Sequence, residues 1–250
     1  MIKTVALFTY LGIYLVLHSV VLPFWLLFFF LGLRSARRTL MRGCGYVWAR
    51  HFLFLVGAKV IVEGAENMPA DDRVCLICNH QSSLDILVIL GWSGKTPGFV
   101  AKRELIYAPL LNFWMLLLHC VFIERRNIRK SAGAIERGAG AIRRGNPMVI
   151  FPEGTRSKTG KIGEFKPGSL KLATKSEALI VPVTLINTAS LFEATGRLRA
   201  DTVRLVIHKP IPTAGLSKEE RLALVEEVRS RIVSAYPDFE KMEEVCGVQS

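Results

Sequence analysis

The chain has 250 residues, a net charge of +12 from 33 basic and 21 acidic residues, and 50% hydrophobic residues. Its mean hydropathy is +0.32. That length holds one α/β domain and no second full domain, and a charged fraction of 22% excludes both a disordered chain and a multi-span transporter. Cysteines at 44, 75, 78, 120 and 246 are too few and too irregular for a disulfide scaffold, so a reduced, cytosol-facing location is expected.

In chain order, residues 4–33 contain no Asp, Glu, Lys or Arg. As one straight helix they would span roughly 45 Å against a hydrocarbon core of about 30 Å. A signal peptide is shorter and ends in small residues, unlike Phe24-Trp25-Leu26-Leu27-Phe28-Phe29-Phe30. The segment is expected to stay in the membrane. Arg34, Arg37, Arg38 and Arg42 follow it and Lys3 precedes it, which places its C-terminal side in the cytoplasm. Pro23 removes a backbone donor and predicts a kink. The next apolar stretch, Tyr46 to Ala58, carries Trp48, Arg50 and His51 and reads as an interfacial helix. One tilted span and a helical hairpin sunk in one leaflet are both open. Residues 1–58 are thus expected to form a membrane helix or hairpin with a basic juxtamembrane stretch, and 59–250 a separate α/β domain.

From about residue 60 the apolar runs shorten to strand length. They fall at 60–62, 74–78, 98–101, 121–123, 148–151, 180–183 and 203–207. Helical patterns fall at 83–92, 107–118, 128–144, 167–176 and 217–235, the last opened by a Ser217/Glu220 capping box. The alternation predicts an α/β fold with a mostly parallel sheet flanked by helices.

Four of the strands are followed at once by a polar cluster. These are Asn79-His80-Gln81-Ser82-Ser83-Leu84-Asp85, Lys102-Arg103-Glu104, Glu124-Arg125-Arg126 and Pro152-Glu153-Gly154-Thr155-Arg156-Ser157. Ligands of parallel sheets bind outside the carboxyl ends of the strands, so the clusters can converge on one site. Residues 102–171 hold fourteen basic and five acidic residues, which suits an anionic ligand.

His80 and Asp85 would point about 140° apart on a single helix. They meet if His80 lies in the loop before the helix and Asp85 in its first turn, with Ser82 as N-cap. Asp85 then holds one imidazole nitrogen and leaves the other as a general base. Ser82-x-x-Asp85 is equally a plain capping box. Arg156 and Lys158 can grip a phosphate beside Gly154, although a solvated basic turn has the same composition. The loop is not a Walker A motif, since five residues separate Gly154 from Gly160-Lys161 and Ile162 follows. Cys75-x-x-Cys78 cannot bind one zinc ion, because residues three apart on a strand face opposite ways.

Asn79-His80-x4-Asp85, Phe122-Ile123-Glu124-Arg125, Phe151-Pro152-Glu153-Gly154-Thr155-Arg156-Ser157 and Val181-Pro182-Val183 resemble, in order, the four motifs of the glycerolipid acyltransferases. The resemblance covers residues 45–215 and lies nearest the bacterial enzymes acting on 1-acyl-glycerol-3-phosphate. It implies acyl transfer from a thioester to the sn-2 hydroxyl of lysophosphatidic acid in phospholipid biosynthesis. His80 and Asp85 would be catalytic, with Lys102, Arg125, Glu153, Gly154, Thr155 and Arg156 binding substrate. It implies no metal and no cofactor, with acyl-CoA or acyl-carrier protein as donor, a membrane lipid as acceptor, and a place at the bacterial inner membrane facing the cytoplasm. Two rivals stay open: a relative acting on another lyso-lipid, such as a lyso-ornithine lipid or lysophospholipid, and a non-catalytic membrane-anchored module for anionic lipid. Nucleic acid is not expected as a partner, since the strands lack aromatic platforms.

Overall fold

A computed structural model describes residues 2–124, 128–157, 161–166 and 168–236. Seven strands form its sheet: β1 (Lys59–Glu63), β2 (Val74–Cys78), β3 (Gly98–Lys102), β4 (Val121–Ile123), β5 (Met148–Ile150), β6 (Leu179–Ile186) and β7 (Thr202–Ile207). Their order is β1-β7-β6-β2-β5-β3-β4. The five strands β6, β2, β5, β3 and β4 are mutually parallel. β7 pairs antiparallel to β6, and β1 runs alongside β7. The strands that precede the four polar clusters are consecutive neighbours, so their carboxyl ends share one edge of the sheet.

Strand β2 shows how the two faces are covered. Val74, Leu76 and Cys78 pack into one core layer with α3 (Arg34–Val56) and α4 (Asp85–Trp92). Cys75 and Ile77 pack into the other, with α6 (Ile128–Arg143), α7 (Lys171–Ser176) and α8 (Lys218–Ser234). Period-two alternation thus buries β2 on both faces, and Cys75 and Cys78 lie on opposite sides. Among the described residues no group of His, Cys, Asp and Glu could hold a metal ion. Helix α8 opens on the expected capping box, with Ser217 and Glu220 bonded reciprocally. α5 (Leu111–Leu117) and α7 begin several residues later than their patterns predict. A 3₁₀ turn at Arg103–Tyr107 and left-handed Leu110 (φ +62°) delay the first, and a turn at Gly168-Ser169-Leu170 delays the second.

The N-terminal segment folds as α1 (Ile2–Leu17), a 3₁₀ turn at His18–Val21 and α2 (Leu22–Phe30). Pro23 lies in the first turn of α2, so the tightened turn comes just before it. Thr4–Phe30 is long and apolar enough to cross a membrane. Gly32, at φ +68°, turns the chain back into α3. The sequence places Tyr46 to Ala58 in the interface; in the structure one face of this stretch belongs to the core of the α/β domain. Ala49, Phe52, Leu53 and Val56 follow an i, i+3, i+4, i+7 spacing and are fully buried against the sheet layer. Burying each of the three larger side chains is worth about 1.5–3 kcal/mol. Tyr46, Val47 and Phe54, on the other side of the same helix, remain exposed.

Candidate active site

The site is built from the loop that leaves β2. Asn79 is fully buried and extends the β2–β6 ladder with its side chain. Its Nδ2 donates to Leu185 O (2.8 Å), and its Oδ1 accepts from Leu185 N (2.7 Å). The loop then turns into α4, whose first residue is Asp85, fully buried.

Four donors converge on the Asp85 carboxylate. Oδ2 accepts from His80 Nδ1 (2.8 Å), Gln81 N (2.8 Å) and Ser82 N (2.9 Å). Oδ1 accepts from Thr188 Oγ1 (2.5 Å). Ser82 Oγ accepts from Leu84 N (3.0 Å). The dyad forms, but the expected capping box does not: Leu84 rather than Ser82 is the N-cap of α4, Asp85 is its first residue, and Asp85 N donates to the Ser82 carbonyl rather than to its hydroxyl. The donors on Oδ2 make Nδ1 carry the imidazole proton, and Nε2 keeps the lone pair that can accept another.

The backbone of His80 is held from two sides by the loop after β5. Its N–H donates to Glu153 Oε1 (2.8 Å), and its carbonyl accepts from Ser157 N (2.8 Å). Glu153 Oε2 accepts from Gly163 N (3.0 Å). Burial pushes the Glu153 carboxyl up, against the opposing pull of those two N–H groups. The resemblance assigned Glu153 and Gly154 to the substrate. In the structure both oxygens of Glu153 are taken up inside the protein, and it acts as a clamp on the His80 loop. Gly154 has φ +75°, a conformation that other residues rarely adopt, so the turn of this loop requires glycine. The His80 ring stacks on Phe151, with centroids 4.0 Å apart.

His80 borders a cavity of about 1040 Å³. One part of its wall is polar, with Lys102, Thr155, Arg156 and Glu193. Most of the rest is apolar and runs between α3, α4 and α5, past Met41, Leu90, Phe99 and Leu118. Lys102 is exposed and paired with Glu104 at 3.0 Å. Arg156 is half exposed and donates to Ser83 Oγ (2.6 Å) and Glu193 Oε1 (2.8 Å). Arg125 and Lys158 lie outside the described residues.

Two further residues belong to this constellation. Glu193 also accepts from Ser82 Oγ (2.5 Å), Ser83 N (2.7 Å) and Ser83 Oγ (2.8 Å). Burial works to raise its carboxyl, and the donors from Ser82, Ser83 and Arg156 outweigh it and hold it below the usual range. Thr188 supports Asp85, and its N–H donates to Gln81 Oε1 (3.3 Å). Both residues follow β6 and lie more than 100 positions from the loop they serve. No local motif marks either of them.

The cavity thiols are poor nucleophiles. Burial pushes Cys120 up to about 12 and raises Cys44, so both stay protonated near neutral pH.

Comparison with known proteins agrees with the geometry. The Acyltransferase family model matches residues 59–186. A probable 1-acyl-sn-glycerol-3-phosphate acyltransferase of Mycoplasma pneumoniae is 33% identical over 201 residues, 75% of each chain. A 1-acyl-sn-glycerol-3-phosphate acyltransferase of Borreliella burgdorferi is 33% identical over 195 residues, 78% of this chain and 76% of its own. The crystal structure of the 1-acyl-sn-glycerophosphate (LPA) acyltransferase PlsC from Thermotoga maritima covers 97% of both chains with a TM-score of 0.72 at 30% identity. The matched segment holds the buried Asp85, the His80 it orients and the loop that clamps them, and this chain belongs to the acyltransferase family.

Proposed function

We propose that the protein transfers an acyl chain from a thioester to the sn-2 hydroxyl of lysophosphatidic acid, giving phosphatidic acid. The observation that carries this reading is the His80–Asp85 pair at the junction of a cationic and an apolar wall of one cavity. His80 Nε2 takes the proton of the acceptor hydroxyl as its oxygen attacks the thioester carbonyl. Asp85 stabilises the imidazolium. The tetrahedral intermediate expels the thiolate, which recovers the proton from His80. The acceptor oxygen is itself the nucleophile, so no acyl-enzyme forms and no metal or cofactor is needed.

Arg156, with Lys102, receives the acceptor phosphate. Before substrate arrives, Glu193 holds the Arg156 guanidinium at the cavity edge. Arg156→Ala is expected to raise the KM for lysophosphatidic acid about 10- to 100-fold, the value of a charge-assisted hydrogen bond, and to leave the KM for the thioester within about twofold. Varying each substrate separately measures this. A defect confined to the donor would move Arg156 to the donor's phosphates.

The N-terminal helices support anchoring in one leaflet of the inner membrane, with the site facing the cytoplasm. At one end of α1, Leu198 N donates to Thr4 Oγ1 (3.1 Å) and Phe8 meets Phe192 edge-on at 5.2 Å. Near the end of α2, the Arg37 guanidinium lies over Trp25 and Phe29. A spanning helix would carry one end about 30 Å away from the domain. Here the α1 end touches the domain, the α2 end packs on α3, whose Arg38 bonds the Arg144 carbonyl, and Val16, Val20, Phe24 and Leu27 remain exposed for lipid.

The deciding experiment supplies the purified protein with acyl-CoA and, in turn, lysophosphatidic acid, lysophosphatidylcholine and a lyso-ornithine lipid, and follows thiol release and lipid product. Turnover is expected with lysophosphatidic acid, at least about tenfold above the others, since the others lose the phosphate monoester's pairing. Preference for another lyso-lipid would assign the site to that acceptor.

A further inference from the structure

We propose that Arg37, Arg38 and Arg144 form a second anion site, which takes the phosphate of an anionic lipid headgroup entering from the bilayer. A cavity of about 400 Å³ lies between α3, the end of α6 and the turn before β4. Arg34, Arg37, Arg38, Arg42 and Arg144 all line it. Asp72 is the one carboxylate among its described lining residues, and Lys95 pairs with it at 2.7 Å. The described lining residues thus carry a surplus of positive charge.

Ordinary juxtamembrane arginines would need nothing from the rest of the fold. This site does draw on it. Arg144 is more than 100 residues from α3, yet Arg38 Nη2 donates to its carbonyl at 2.7 Å. Arg37 Nε is shielded from water and has no hydrogen-bond partner among the described residues. Burial, and then the charges of Arg144, Arg37 and Arg38, hold the His119 imidazole below its ordinary range, so the three guanidinia converge on one region. A phosphate placed there would relieve the repulsion among the three guanidinia.

The position favours a lipid as the source. The Arg37 guanidinium sits 5.3 Å from the Trp25 ring centroid and 5.0 Å from that of Phe29. Exposed Phe29, Phe30, Leu31 and Leu33 mark the apolar surface beside it. A lipid there could keep its chains on α2 and its phosphate among the arginines. The site is separate from His80. Pro147, in this cavity, precedes β5, and Phe151, under His80, follows it. Four residues of strand put the two about 13 Å apart at opposite ends of the sheet.

Flotation of the full chain with phosphatidylcholine vesicles, with and without phosphatidylglycerol, tests the proposal. Its readout is binding, so it stands or falls apart from the acyl-transfer reading. Arg38→Gln with Arg144→Gln is expected to remove about 30-fold of the gain that phosphatidylglycerol confers, near fivefold per arginine. Both side chains are exposed, so the fold should persist, and a melting curve checks it. If the pair does not fold, Arg34→Gln with Arg144→Gln takes its place. Arg221→Gln with Arg229→Gln on α8, none of whose residues lines this cavity, removes the same charge and is expected to keep the gain. Equal loss in both pairs, or full retention in the first, would overturn the site. Inorganic phosphate supplies the last arm. If it raises the melting temperature of the wild type but not of the Arg38/Arg144 variant and abolishes the phosphatidylglycerol gain, the pocket holds free phosphate and the lipid assignment fails.

Discussion

His80→Ala is expected to lower kcat by about 10²–10⁴, the usual value of a positioned general base. The fold should survive. The side chain is 16% exposed, and what it loses inside the protein is its stacking on Phe151 and one hydrogen bond to Asp85. The stacking is worth about 0.5–1.5 kcal/mol. Glu153 and Ser157 grip the backbone of residue 80, so the loop keeps its anchors whatever the side chain. The check is phosphatidic acid formation by purified variant and wild type, beside their melting temperatures. A variant that folds normally and turns over within about tenfold of wild type would remove His80 from the chemistry.

Asp85→Asn is expected to be nearly as inactive, and also less stable. The carboxylate is fully buried and accepts four hydrogen bonds through two oxygens. An amide offers one oxygen and one NH₂. If the oxygen keeps Gln81 N, Ser82 N and His80 Nδ1, the NH₂ must face Thr188, whose hydroxyl can turn to accept. If the amide flips, its NH₂ meets two backbone donors and can satisfy only a histidine whose proton has moved to Nε2, the wrong tautomer for a base. Removing the negative charge also removes what stabilises the imidazolium. A loss of about 10²–10⁴ in kcat follows, with about 1–3 kcal/mol of stability lost to a poorly satisfied buried group. Turnover measured beside thermal melting separates the two effects. A small drop in melting temperature with near-normal turnover would leave Asp85 as a brace of the loop before α4 alone.

What the sequence made legible was local. Strand runs, the polar clusters after them and the meeting of His80 with Asp85 depend on residues a few positions apart, where spacing and secondary structure fix geometry. Glu193 and Thr188 were not legible, because single residues after β6 reach the His80 loop only through the pairing of β2 with β6. Glu153 shows the converse. It stands in a recognisable motif, yet its direction depends on where His80 N and Gly163 N lie, and it faces inward. The packed face of the second half of α3 is hidden in the sequence, because its aromatic residues and Arg50 suggest an interface. Its Ala49-Phe52-Leu53-Val56 stripe packs on the sheet, and the Arg50 guanidinium folds over Tyr46 and Trp92.

The central claim is that the acceptor hydroxyl attacks the thioester directly, with its proton passing to His80. Incubating the protein with a thioester labelled in its acyl chain, without acceptor, followed by denaturation, tests it. The account predicts no protein-bound label above that of His80→Ala, and thiol release only once lysophosphatidic acid is added. Stoichiometric label on the protein, lost when lysophosphatidic acid is added as phosphatidic acid forms, would contradict it and make a side chain of the cavity the nucleophile.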